Sequence, residues 1–305
     1  MELGELIEYQ CSTLGVGTRL VYDGREALLE LKTKRFRLLI TDLLLLVFLL
    51  PLSLKAQNDQ TNPGFFRYFG ARHFYNTYHQ PYGQHWHLTS LEIKGEDDLL
   101  ALLGRINYGQ RLINPQHPFQ SVNMQYQVDA YPIINESNYF YLSCAYSASL
   151  LFPTHQTRTV YCHIFDQSIE ASLGIYLMQW QTSFPIFTGS VGKYLKNYWI
   201  SLRPYLVFRD ERISQSYTLF LRRYLKTPDD FFTLILGYGS SPVAPAYLID
   251  FNKTYDVKGL NFQVKYQEAL EKWIFRLGGG FRYEEFRQDD WRTRYYLELG
   301  LFYRL

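Results

Sequence analysis

TRYYLELGLFYRL, residues Thr293–Leu305, ends the sequence and alternates without a break. Tyr295, Leu297, Leu299, Leu301, Tyr303 and Leu305 fall on one side, and Arg294, Tyr296, Glu298, Gly300, Phe302 and Arg304 on the other. Successive side chains of a strand point to opposite faces, so this segment has one apolar face and one mostly polar face. It is long for a strand of a soluble sheet and suits a tilted strand crossing a bilayer. A final strand of this kind is expected to close a transmembrane β-barrel by pairing with the first strand, near Phe66–Tyr78.

Composition points the same way. The sequence holds 27 Tyr and 22 Phe and is 18% aromatic, yet its mean hydropathy is −0.22. A helical membrane protein would be far more apolar and would show several long apolar runs. A barrel accounts for both facts, because aromatic girdles mark its two interfaces and its lumen accepts polar groups. A net charge of +2 is too mild for a nucleic-acid partner, and none is expected. The expected partner is outer-membrane lipid, with the barrel-assembly machinery engaging the C-terminal strand.

Working back from that strand, segments of the same period recur between turn residues. Val122, Met124, Tyr126, Val128 and Ala130 alternate with Asn123, Gln125, Gln127 and Asp129, and Leu260, Phe262, Val264 and Tyr266 with Asn261, Gln263, Lys265 and Gln267. About fourteen candidate strands run from 66–79 to 290–304. Twelve stays open because the 158–165 segment is short. With a periplasmic start, KGED (Lys94–Asp97), DQSI (Asp166–Ile169) and KTPDD (Lys226–Asp230) become periplasmic turns. The long connection Ser240–Tyr255 then falls outside, as expected for an up-and-down antiparallel barrel. The competing class, a soluble β-sandwich, explains neither the strand lengths nor the repeated polar faces.

Upstream, KTKRFRLLITDLLLLVFLLPLSLKAQ (residues 32–57) has the layout of a secretory signal: basic residues, an apolar h-region over 38–54, and cleavage near Ala56. Asp42 makes the same run a poor membrane helix. Val21–Leu43 resembles a fragment of a response-regulator receiver domain, but its strand runs straight into the h-region. Residues 1–56 are therefore read as an over-called start plus signal peptide, and residues 57–305 as the barrel.

Five stretches, LEIKGEDDLLALLGRINYGQRL (Leu91–Leu112), YQVDAYPIINESNYFYLSCAYS (Tyr126–Ser147), IEASLGIYLM (Ile169–Met178), GSVGKYLKNYWISLRPYL (Gly189–Leu206) and YYLELGLFYRL, resemble the YaiO family of outer-membrane β-barrel proteins. The resemblance spans almost all of residues 57–305. It implies a signal-directed protein of the bacterial outer membrane and carries no established activity or catalytic residues.

Candidates for chemistry are few. His79, His85 and His87 cluster around YHQPYGQHWH (Tyr78–His87) and could form a loop-borne metal site, or could be rim residues beside Trp86 and Tyr82. Ser149 and His155 lack an orienting third group. The glycines Gly278, Gly279 and Gly280 have no phosphate-loop context and suit close approach inside a barrel. Cys144 and Cys162 both read onto the apolar face, as lipid-facing thiols or a cross-strand disulfide. No catalytic, cofactor or metal residue is assigned. The lumen-lining candidates are Arg105, Asn123, Gln125, Gln127, Asp129, Arg203, Arg222, Lys265, Arg276, Arg282 and Glu298, and Arg111, Arg294 and Arg304 alternate the same way. Such a basic lining favours anionic solutes or acidic polysaccharide. The expected function is a structural barrel or narrow conduit. The alternatives are an enzyme acting on lipid or peptide at the external rim, and a surface-ligand binding barrel.

Overall fold

The computed structural model describes residues 65–79, 85–112, 121–149, 151–179, 183–209, 212–242, 256–287 and 290–305. The signal-peptide reading (38–54, Ala56) and residues 243–255 of the long connection lie outside them. Fourteen strands follow one another: β1 (Phe66–Tyr78), β2 (His85–Glu96), β3 (Leu100–Leu112), β4 (Ser121–Asn135), β5 (Asn138–Tyr146), β6 (His155–Phe165), β7 (Ile169–Gln179), β8 (Ser183–Leu195), β9 (Tyr198–Arg209), β10 (Arg212–Tyr224), β11 (Phe231–Pro242), β12 (Asp256–Leu270), β13 (Trp273–Arg287) and β14 (Asp290–Arg304). Each pairs antiparallel with its chain neighbours, and β1 pairs with β14 to close the barrel. The closing register runs from Tyr68↔Arg304 to Tyr78↔Arg294. The segment that left twelve strands open is a full strand, β6, 11 residues long.

The turns explain the polarity of the barrel. At one end the connections are short and built from local side-chain bonds. Asp97 Oδ1 accepts from the Leu99 and Leu100 N–H groups, each at 2.9 Å. Asn135 Oδ1 accepts from Ser137 N at 3.0 Å and from Asn138 Nδ2 at 2.7 Å. These are Asx turns, in which the side chain replaces a backbone acceptor. Asp230 closes a third turn by accepting from Ala269 N at 2.7 Å, Thr227 Oγ1 at 2.6 Å and Thr227 N at 3.1 Å. Burial raises the pKa of the Asp230 carboxyl, but these bonds and Lys226 outweigh burial and hold it below the usual carboxylate range. The short-turn end also carries Phe66 and Leu305, and is the periplasmic end of an outer-membrane barrel.

Burial is inverted relative to a soluble protein. On β14, Leu297, Leu299 and Leu301 are 44–49% exposed, whereas Glu298 between them is 2% exposed. Tyr303 sits in one aromatic girdle with Trp273 (ring centroids 5.1 Å apart) and Phe69 (5.8 Å). Tyr283 stacks on Trp291 at 4.8 Å toward the other end. An apolar band flanked by aromatic rings is what the hydrocarbon core and its interfaces select.

One expectation about an individual residue fails. Cys162 faces inward and is buried opposite Tyr139, while Cys144 lies opposite Thr157. They are separate free thiols on opposite faces of the sheet. Trp86, near the start of β2, turns inward and is buried, with its ring 5.9 Å from that of Phe152.

Candidate functional site: the filled barrel interior

The inward faces of β12, β14 and β1–β5 form a continuous polar ladder. Lys265 Nζ lies 2.9 Å from Glu298. Arg72 bridges Glu298 at 3.3 Å and Glu92 at 3.0 Å. Arg105 follows, 3.6 Å from Glu92 and 2.5 Å from Asp129. Asp129 also accepts from Gln127 Nε2 at 2.9 Å and the Tyr141 hydroxyl at 3.2 Å. Beside it, Ser90 donates to Asn107 at 2.7 Å and Asn107 to Gln125 at 3.0 Å. The ladder crosses the β1–β14 seam, so ion pairs help join the two ends of the sheet.

Toward β5–β9 the filling changes character. Tyr131, Tyr139, Tyr141, Tyr176 and Tyr205 pack with Val160, Cys162, Met178, Ile186 and Val207. Arg158 on β6 and Arg203 on β9 are buried in the same region. A second cluster, Phe74, Trp199, Phe220, Ile235 and Tyr296, draws on β1, β9, β10, β11 and β14 and reaches around nearly half of the ring. Tyr296 gets there by lying across β13, where its hydroxyl donates to Phe262 O at 2.8 Å. A Cβ at Gly280 would collide with that hydroxyl and with Phe262 O, so only glycine admits this crossing.

At the end opposite the short turns, the β5–β6 connection folds into the mouth. Leu151 and Phe152 are buried against Trp86. The Ser147 hydroxyl donates to Met124 O at 2.6 Å, and Ser147 N to Thr154 O at 3.2 Å. A Cβ on Gly109 would stand 2.7 Å from the Phe152 ring, so β3 offers a glycine seat for it.

The lumen-lining candidates take the following places. Arg105, Gln125, Gln127 and Asp129 are buried together in the ladder, with Asn123 half-buried on the same strand. Lys265 and Glu298 form its other end. Arg222 donates to Thr233 Oγ1 at 3.0 Å and lies 4.0 Å from the Phe231 ring centroid. Arg276 donates to Gln267 at 2.9 Å over the Phe302 ring. Arg282 and Arg292 flank Glu284 at 3.0 Å and 2.6 Å, and Arg294 is buried near the Tyr78 ring. Arg203 is buried on β9, and Arg304 pairs with Asp229 at the short-turn end. The Arg111 side chain lies outside the described ones. Arg72, Glu92 and Arg158 were not among the candidates.

The histidines gather differently from expectation. His73 joins His85 and His87 on the outward side of β1 and β2, while His79 stands exposed past the end of β1. His73 and His87 ring nitrogens are 3.4 Å apart, and His85 bonds to the Tyr75 hydroxyl at 2.8 Å. Among the described residues no group of three or more His, Cys, Asp and Glu side chains is placed to hold a metal ion. Ser149 bonds to Ser147 and to Leu151 N, and the His155 ring rests against Tyr146.

Residues 67–244 match the model of the YaiO membrane beta barrel domain, more than half of the chain. The protein belongs to the YaiO family. It is an outer-membrane β-barrel, and the match runs from β1 into the residues just after β11. No curated protein matches the chain. Among solved structures, an outer membrane channel from Pseudomonas putida F1 is 12% identical, with TM-score 0.48, covering 81% of this chain and 100% of that one. A bacterial polysaccharide outer membrane secretin is 8% identical, with TM-score 0.47, covering 80% and 100%. Pseudomonas aeruginosa OccK7 (OpdD) is 10% identical, with TM-score 0.44, covering 79% and 98%.

Proposed function

We propose that this YaiO-family barrel is a narrow conduit, closed at rest, whose basic interior favours small anionic solutes or the acidic groups of a polysaccharide. The observation that carries the reading is the combination of a filled lumen with an inward excess of arginine and lysine. Asp129 and Glu298 are 1% and 2% exposed in mid-barrel, where side chains lining an open diffusion pore would be wetted. The surplus positive charge sets a field that attracts anions and repels cations. Leu151 and Phe152 in the mouth supply an apolar constriction, a kind of element that gates by excluding water.

Planar-bilayer recording on the refolded protein tests this. The parent is expected to show no steady conductance, and replacement of Leu151 and Phe152 by alanine to give brief openings that prefer anions. A large steady conductance in the parent sinks the closed state. Silence in every variant leaves a purely structural barrel. The rim-enzyme reading draws no support from His85 and His87, which lie on the outward wall. Recognition of β14 by the barrel-assembly machinery belongs to the same proposal. Substituting Phe302 should slow assembly more than substituting Leu305.

A further inference from the structure

Arg158 differs from the charged residues of the ladder. Its side chain is inward on β6, and the residue is 1% exposed. With the Gln156 amide turned so that its oxygen faces Arg158, that oxygen accepts from Nε and Nη2, and the guanidinium lies over the Tyr176 ring, 5.2 Å from the centroid. Its Nη1 has no hydrogen-bond partner, and neither has the buried Tyr176 hydroxyl. No carboxylate pairs with Arg158 among the described residues, and a guanidinium cannot shed its proton. A buried charge without a counter-charge is among the costliest arrangements a protein interior can hold.

Arg158 and Tyr176 are direct cross-strand partners, so both unused donors project from one spot on the inner wall. The Tyr205 ring lies 6.2 Å from that of Tyr176, and Arg203 is buried in the same region. Of the acids around this arc, Asp129, two strands away in the same row, is bonded to Arg105, Gln127 and Tyr141, and Glu170 is engaged with Tyr139, Tyr194 and Arg203. The spot is therefore cationic and rich in donors, and no carboxylate acts on Arg158 among the described residues.

We propose that a small oxyanion, a phosphate or a carboxylate, occupies the barrel interior against Arg158 Nη1 and the Tyr176 hydroxyl. Guanidinium and hydroxyl donors both shorten and strengthen their bonds to an anionic oxygen. The site goes beyond the conduit reading and stands apart from it. A barrel that never conducts would still need the counter-ion, and a silent bilayer recording leaves the following measurement intact.

The full chain is refolded in detergent with inorganic phosphate, with glucuronate, or with chloride alone. The measured quantity is the temperature at which the folded gel band converts to the unfolded one. A saturable rise of about 5–10 °C over chloride is expected with at least one oxyanion. Phosphate alone points to a phosphorylated ligand, glucuronate alone to an acidic sugar, and both to an unselective oxyanion site. In R158Q the rise should vanish while the chloride value holds or increases, because the uncompensated charge is gone. In Y176F it should shrink several-fold with folding unchanged. No rise with either oxyanion, or an undiminished rise in R158Q, overturns the site. If R158Q fails to fold, R158K and Y176F decide: an undiminished response in both overturns the site, and a weakened one supports it.

Discussion

The arc from β12 through β14 and β1 to β4 is filled by opposite charges that find one another, whereas the arc from β5 to β9 is filled by tyrosine rings. Lys265, Glu298, Arg72, Glu92, Arg105 and Asp129 form a chain of pairs at 2.5–3.6 Å. Tyr131, Tyr139, Tyr141, Tyr176 and Tyr205 instead cluster ring against ring, with Tyr141 also bonded to Asp129 and Tyr139 to Glu170. The ionic arc holds the seam, where Arg72 meets Glu298 across 226 residues of sequence. It is also the register-sensitive arc, since a slip of one residue would turn Glu298 toward lipid.

The largest expected effect breaks the ionic arc. E298Q leaves Lys265 and Arg72 buried without their shared acid and should cost about 3–5 kcal/mol, read as a lower urea midpoint in lipid vesicles. A loss no greater than that of a tyrosine variant would erase the distinction between the arcs. Next comes the neighbouring outward position. L299R should cost about 2–4 kcal/mol if Leu299 lies near the bilayer midplane, and a neutral outcome would place it elsewhere.

The third test lies in a turn. D230N replaces one of the two carboxylate oxygens that together accept three hydrogen bonds and should cost about 1–3 kcal/mol. The folded pKa of Asp230 is depressed, so its stabilisation is fully present above the ordinary carboxylate value of about 4 and fades as pH falls through the lower folded value. Unfolding midpoints measured from neutral pH downward should fall for the parent in that acid range, and D230N should lack that part of the decline. The smallest effects compare one substitution in two places. Y141F loses a bond to Asp129 and should cost about 1 kcal/mol. Y176F, measured in chloride, should cost almost nothing, because that hydroxyl bonds to no protein group.

Much of the fold was legible because alternation is local. On β14 and β4 each residue declares its face by polarity, so Glu298, Gln125, Gln127 and Asp129 could be placed inward from the sequence. On β6 the rule fails. Thr157 and Thr159 face outward while Val160 and Cys162 face inward, so the pattern reads Cys162 onto lipid and does not mark Arg158. On β1, Phe69 and Phe74 lie on opposite faces, so no polarity contrast marked Arg72. Glu92, the acid that pairs with Arg72 and Arg105, alternates with Leu91 and Ile93, so its inward place is legible in the pattern although it is not among the candidates.

By itself the sequence determined a two-residue period, about fourteen strands with twelve left open, and an apolar outer band ending in β14. Those properties depend only on neighbours along the chain. The tertiary structure alone decided that Glu298 would meet Arg72 and Lys265, that Phe152 would seat on Gly109, and that Arg158 would face Tyr176 without an acid. Such meetings depend on the stagger accumulated around a closed barrel and on a connection turning inward, and no local pattern encodes either.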